Sequence, residues 1–366
     1  MEATLAYSFL RKWGSYGSAD GQLSSPVAFD IYNSEIYIMD QANRRVQVFD
    51  LDGTFRRKWG SVGTGDGQFG TAYDVAAYND EIYVADYGNN RIQVFTTAGV
   101  FLRKWGAWGS ADGQMKLPNR IAIYNDEVYI SDLLNYRIQV FNTSGNYLRK
   151  WGSQGSGDGQ FDTGVWGVVV YDDEVYVSDI SAHRIQVFDT SGTFIRKWGS
   201  FGSAEGYLNR PSALSEHNGN ILVSDFNNDR FQAFTPQGEF VYSIGSTGSG
   251  DGQFNYPQYA RGLGREIYTA DSGVNLARIQ IFGIKIEQLR IAEDRYGVRH
   301  AAYDHEGKIW YRRAQNGVDF GDPVEVSDGR LPDILYRPDG ELVVGYEDDE
   351  HNVYTKSSRD GGITWI

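Results

Sequence analysis

An all-β fold is predicted for this chain: a six-bladed β-propeller of four antiparallel strands per blade, followed by a small C-terminal β-unit. Three observations carry the prediction. A segment of about 46 residues recurs six times, the residue types are those of short strands and tight turns, and the copies are offset so that the first strand can complete the last copy.

Two markers set the beat. Trp13, Trp59, Trp105, Trp151 and Trp198, with Ile244 in the sixth position, step by 46, 46, 46, 47 and 46 residues. Asp40, Asp86, Asp132, Asp179, Asp225 and Asp271 keep the same period, each closing an apolar run. A fixed period of this length marks stacked units that cannot bury their apolar faces alone. The 25 Tyr, 19 Phe and 44 Gly suit strands joined by tight turns, and the length allows a substantial core.

Within one copy the strands follow in order. Tyr73–Tyr78 is a short strand ending at the Asn79-Asp80 turn, and Glu81–Ala85 alternates as a strand should. Residues 86–90 turn into Arg91–Phe95, and Thr97-Ala98-Gly99 turns into Val100–Trp105. Fourth-type strands fall at 7–13, 54–59, 100–105, 146–151, 193–198 and 239–244. The first precedes any complete copy and the last copy has only three strands, so Tyr7–Trp13 is expected to close the ring, which hides edges that an open solenoid would expose.

Glu81-Ile82-Tyr83-Val84-Ala85-Asp86, Arg91-Ile92-Gln93-Val94-Phe95 and Gly65-Asp66-Gly67-Gln68-Phe69, repeated around the chain, resemble the NHL repeat. The resemblance covers residues 7–282. It implies a propeller domain over 1–283 and a separate unit over 284–366.

What repeats reads as scaffold. The pairs Asp40 and Arg45, Asp86 and Arg91, Asp132 and Arg137, Asp179 and Arg184, Asp225 and Arg230, and Asp271 and Arg278 are expected to bridge the turn between second and third strands. The repeated Trp side chains are expected to pack between blades. The loop acids Asp20, Asp66, Asp112, Asp158, Glu205 and Asp251 give one carboxylate per loop, short of a calcium site.

What varies at a fixed position reads as recognition. Two residues past the Pro position of each innermost strand stand Ala28, Asp74, Arg120, Trp166, Ala213 and Tyr259; Ala72 and Gly164 replace the Pro in two copies. In the loops before those strands stand Tyr16, Val62, Trp108, Gln154, Phe201 and Thr247. Asp74, Arg120, Trp166 and Tyr259 at the channel, with Tyr16, Trp108 and Phe201 in the loops, are the candidate ligand-binding residues.

The composition excludes several classes. There is no cysteine, hence no disulfide or thiolate site. The net charge of −14 divides into −8 over 1–283 (23 basic against 31 acidic residues) and −6 beyond, unfavourable for nucleic acid. No stretch approaches the roughly 18 apolar residues of a membrane span, and residues 1–7 lack a signal-peptide pattern, so synthesis in the cytoplasm is expected.

After Phe282 the period stops. Lys308–Ala314 and Asn352–Ser358 recur at a spacing of 44, and the second runs into Ser358, Asp360, Gly362, Thr364 and Trp365. This run is similar to the Asp-box of sialidase-like BNR-repeat propellers, where it stabilises a hairpin. Two such units cannot close a ring, so the unit is expected either to pack against the propeller or to be completed by other chains, with assembly of three chains through 284–366 as the favoured form.

The expected function is non-enzymatic: a binding or structural protein without metal or cofactor, engaging a protein or glycan partner, in the setting of a virion or phage tail appendage. Only His183 and His217 fall within 1–283, in turns on opposite faces. The alternatives are an intracellular NHL protein-interaction scaffold and a metal-dependent lyase or hydrolase with its site in the channel.

Overall fold

The structure, a computed structural model, describes residues 7–273 and 276–283, and beyond them the strand segments lying between 289 and 358. The chain divides into two compact units, Met1–Ile284 and Lys285–Ile366.

The first unit is an all-β propeller of six four-stranded antiparallel sheets. Its inner strands are Pro26–Tyr32, Asp74–Tyr78, Pro118–Tyr124, Val165–Tyr171, Pro211–His217 and Pro257–Leu263, for blades one to six. Blade six takes its outer strand from the start of the chain: Ser8–Trp13 pairs antiparallel with Arg278–Gly283, Trp13 opposite Ile279. Six apolar clusters, one between each pair of neighbouring blades, form the core among the described residues. Between blades one and two, for example, Tyr37, Met39, Val46 and Val48 meet Phe69, Val75, Ile82 and Phe95.

The repeated Trp belongs to these seams. Trp59 of blade one lies against Phe95 of blade two and covers the hairpin at Gly99. Gly99 has φ +86°, and a Cβ there would stand 2.6 Å from the indole, so both the turn and the close approach require glycine. Trp13 covers Gly53 of blade one in the same way, which locks the clasp strand onto the first blade.

Each Asp–Arg pair does more than bridge its turn. In blade two, Asp86 is fully buried and accepts from Arg91 Nε (2.8 Å), Asn89 Nδ2 (2.9 Å), Gln93 Nε2 (3.2 Å) and the Gly70 amide (2.9 Å). Arg91 also donates to the carbonyls of Thr64, Gly65 and Gln68. The pair therefore ties the blade to the loop that enters it. Blade six keeps the contact across its longer spacing, with Arg278 Nη2 3.0 Å from Asp271 Oδ2. The five loop aspartates pair with lysines at the rim, as in the Asp158–Lys197 (2.6 Å), Asp66–Lys104 and Asp251–Lys12 pairs.

The second unit contains two antiparallel sheets. Leu289–Glu293, Arg299–His305, Lys308–Gln315 and Val324–Asp328 form one, with Asp319–Phe320 on the end of Lys308–Gln315; Arg330–Tyr336, Leu342–Glu347 and Val353–Ser358 form the other. The two recurring segments, Lys308–Gln315 and Val353–Ser358, occupy the third strand of each sheet. Of the Asp-box run, Ser358 ends a strand, while Asp360, Gly362, Thr364 and Trp365 lie outside the described residues.

Candidate functional site: the propeller channel and its loop face

The inner strands begin on the face that carries the long inter-blade loops and end at the short hairpins of the opposite face. Counting back from the repeated Asp sets their register. Pro26, Pro118, Pro211 and Pro257 pair with Asp40, Asp132, Asp225 and Asp271, and in blade four the partner of Asp179 is Val165. Val165, and not Gly164, therefore takes the Pro position. Trp166 moves one place forward, and Gly167 stands level with Asp74, Arg120 and Tyr259. The extra residue of the 47-residue step has gone into the loop before the strand, where Gly164 adopts φ +126°.

The position shared by Asp74, Arg120 and Tyr259 forms a plug. Arg120 is 3% exposed and reaches across the channel from blade three, donating to Tyr73 O (2.9 Å), Val27 O (3.2 Å) and Gln258 O (3.4 Å) of three other blades. Its guanidinium stands 3.5 Å from Asp74 and over the Tyr259 ring. Asp74 in turn accepts from the Ile121 amide at 2.7 Å. Burial pushes the Asp74 carboxyl up to about 6, against the opposing pull of Arg120. These side chains, expected to read a ligand, are brought together; Asp74 and the Arg120 η nitrogens bond to the neighbouring blades, while Arg120 Nε is buried without a partner among the described residues.

Above the plug, the preceding position forms the mouth. Val27, Tyr73, Trp166, Ser212 and Gln258 line a cavity of about 240 Å³ on the loop face, together with Phe226 and Arg210. Tyr73 packs edge-on to Trp166 at 6.3 Å. Two buried polar atoms at this mouth, Gln41 Nε2 and Ser212 Oγ, have no hydrogen-bond partner, and neither do both side-chain polar atoms of Asn119. Such atoms are costly unless a ligand or water completes them.

Around the mouth, on the same face, the loop position presents Tyr16, Val62, Trp108 and Phe201, all more than half exposed. Lys116 sits over the Trp108 ring, and His183 packs against Phe201. Sequence reasoning named Tyr16, Trp108 and Phe201 and missed Tyr73, Phe226 and Arg210. Variation at the position just before Asp74 and Arg120 was the signal that could have found Tyr73.

The two propeller histidines lie on opposite faces. His183 Nδ1 accepts from the Arg210 amide at 3.0 Å. His217, 3% exposed, hydrogen-bonds Tyr7 of the clasp at 3.0 Å, and its ring lies against Gly262. Burial pushes the His217 imidazole below its usual range, with Glu216 opposing weakly. The folded protein thus keeps this ring neutral at a pH where the unfolded chain already binds a proton. Its contribution to stability is complete above about pH 6.5 and is lost as pH falls toward the depressed folded value. Thermal melts at pH 7.5 and pH 5.5 should show the wild-type midpoint falling by roughly 2 °C more than that of His217→Gln. Equal falls would contradict the role assigned to this ring.

The NHL repeat model matches residues 74–95, the inner strand through third strand of blade two. No curated protein matches the sequence. Among solved structures, a streptogramin B lyase aligns over 98% of this chain and 99% of its own, with TM-score 0.53 at 13% identity. A selenomethionine-substituted virginiamycin B lyase from Staphylococcus aureus aligns over 96% and 99%, with TM-score 0.50 at 12% identity. A catalytically inactive His-to-Ala variant of the same enzyme, with quinupristin, aligns over 76% and 99%, with TM-score 0.53 at 13% identity. At such identity the likeness is one of fold.

This finding corrects the expectation that the chain is not an enzyme. Enzymes are built on the same propeller over nearly all of its length, and the scarcity of histidine on which the expectation rested argues only against histidine-based sites. The neighbours' reactions remain theirs, because a shared fold does not carry a site with it.

Proposed function

We propose that the propeller is a recognition protein that takes a protein partner on its loop face, with the mouth around Trp166, Tyr73 and Phe226 as the anchoring pocket. The observation that carries this reading is the convergence on one face of exposed Tyr16, Val62, Trp108 and Phe201 with that aromatic cavity. Exposed apolar side chains around an aromatic pocket are what protein interfaces bury, and aromatic anchors dominate their energetics. Val62 and Phe201 have no polar tip to offer a sugar, which favours a protein over a glycan. The virion or phage-tail setting expected from the near-identical blades and the Asp-box run draws no support from the comparisons, and the reading stands without it.

The test is capture of a partner by the intact chain, followed by affinity measurement with two folded variants. Trp166→Ala and Phe201→Ser should each weaken the complex at least about tenfold, the scale of an anchor residue. Unchanged affinity in both would remove the loop face as the binding surface. Binding confined to a glycan array, with the same two variants impaired, would keep the face and replace the partner class.

A further inference from the structure

We propose that the channel holds a second binding site, on the hairpin side of the Arg120 plug, built for a small zwitterion of amino-acid size. A cavity of about 220 Å³ lies there, enclosed by the inner strands of all six blades. At ~30 Å³ per water this is room for roughly seven waters, which suits a small amino acid and is too little for a nucleotide.

The lining is divided. Blades two, three and four contribute Ala76, Ala122 and Val169 and their neighbours, an apolar arc. Blades five, six and one contribute Glu216, Tyr259, Arg261 and Asp30, a polar arc. Asp30 is already committed: it lies 2.8 Å from Arg261 Nε as an ion pair, accepts from the Ile31 amide (2.7 Å) and the Ala77 amide (2.8 Å), and is 6% exposed. The ion pair holds the guanidinium against Asp30 with Tyr259 beside it, and among the described residues its η nitrogens hydrogen-bond no carbonyl or carboxylate. A guanidinium carries five N–H donors in a planar fork, and the outer pair suits a carboxylate held side by side. The Arg261 side chain is 39% exposed, so those donors are reached by solvent.

Glu216 offers the complement. Its Oε1 accepts from the Gly219 amide at 2.9 Å, and among the described residues no donor reaches Oε2. Glu216 and Arg261 come from neighbouring blades, line one cavity and make no ion pair with each other. The Arg261 guanidinium, held on Asp30, and the Glu216 carboxylate stand in one cavity with Ala76, Ala122 and Val169 on its other side, and match a ligand with a carboxylate, an ammonium and a small aliphatic substituent. The carboxylate takes Arg261, the ammonium takes Glu216, and the substituent lies against Ala76, Ala122 and Val169. Desolvated inside the channel, both charged contacts gain strength over their value in water.

The probes are L-valine, isovalerate (valine without its ammonium) and isobutylamine (valine without its carboxylate), measured by calorimetric titration and thermal shift on the full chain. L-valine should bind at least tenfold tighter than either analogue and raise the melting midpoint. Arg261→Met should weaken valine at least tenfold. Glu216→Gln, which keeps the size and the Gly219 hydrogen bond, should abolish the preference for valine over isovalerate. If Arg261→Met does not fold, Glu216→Gln alone decides the matter. No binding of valine, equal binding of isovalerate, or a valine preference surviving Glu216→Gln would each overturn the proposal.

Discussion

Deleting residues 1–13 is expected to destroy the ring, giving a chain that aggregates or melts more than about 10 °C below the wild type. The clasp strand Ser8–Trp13 is the fourth strand of blade six, and its loss bares the backbone of Arg278–Gly283 along a whole edge. It also removes Trp13 from the seam between blades six and one, where the indole packs on Phe49 and fills the space over Gly53. Trp13 is half-buried, so Trp13→Ala should cost less than the about 3–5 kcal/mol of a fully buried Trp, on the order of 2 kcal/mol, and deletion adds the lost strand pairing. At about 2–4 °C per kcal/mol, Trp13→Ala alone should lower the midpoint by roughly 5 °C. Circular-dichroism melting with light scattering would check both variants. A deletion mutant melting within a few degrees of the wild type would mean that the ring closes elsewhere.

The second large effect is expected at a repeated carboxylate. Asp86→Ala leaves the Arg91 guanidinium buried without its counter-charge and strips acceptors from Asn89, Gln93 and the Gly70 amide. Breaking a buried pair from one side costs about 3–5 kcal/mol, far more than the net value of the pair, because the remaining charge is stranded. Asp66→Ala makes the contrast within the same repeat. Its bond to Lys104 lies at the surface, both side chains being at least 43% exposed, and such pairs are worth about 0–1 kcal/mol. Thermal midpoints of the two variants should differ by roughly 10 °C. Similar midpoints would show that the Asp–Arg network is not what holds each blade to its entering loop.

Most of the ring was legible in the sequence because each cue was repeated under the same physical demand. The alternation in Glu81–Asp86, the turn glycine at Gly99 and the leftover strand at residues 8–13 all point to one architecture, and strand, seam and clasp follow from them. The channel was harder to read. In blade four one additional residue could sit on either side of the strand start, and only pairing with Asp179 places Val165 at the Pro position and moves Trp166 to the mouth. Arg120 looked free because local pattern cannot show that a long side chain will cross a closed ring to carbonyls of blades one, two and six. Arg261 and Glu216 fell at positions filled elsewhere by Ala76, Ala122 or Ile123, and their meeting exists only once the ring is closed.

The loop face as recognition surface is tested most directly by hydrogen–deuterium exchange of the chain with and without its captured partner. Partner binding should protect the loops around residues 16–25, 62–73, 108–118 and 201–210 and the strand start near Trp166. Protection confined to the hairpins at residues 33–34, 79–80 and 125–126, on the opposite face, would contradict recognition by the loop face.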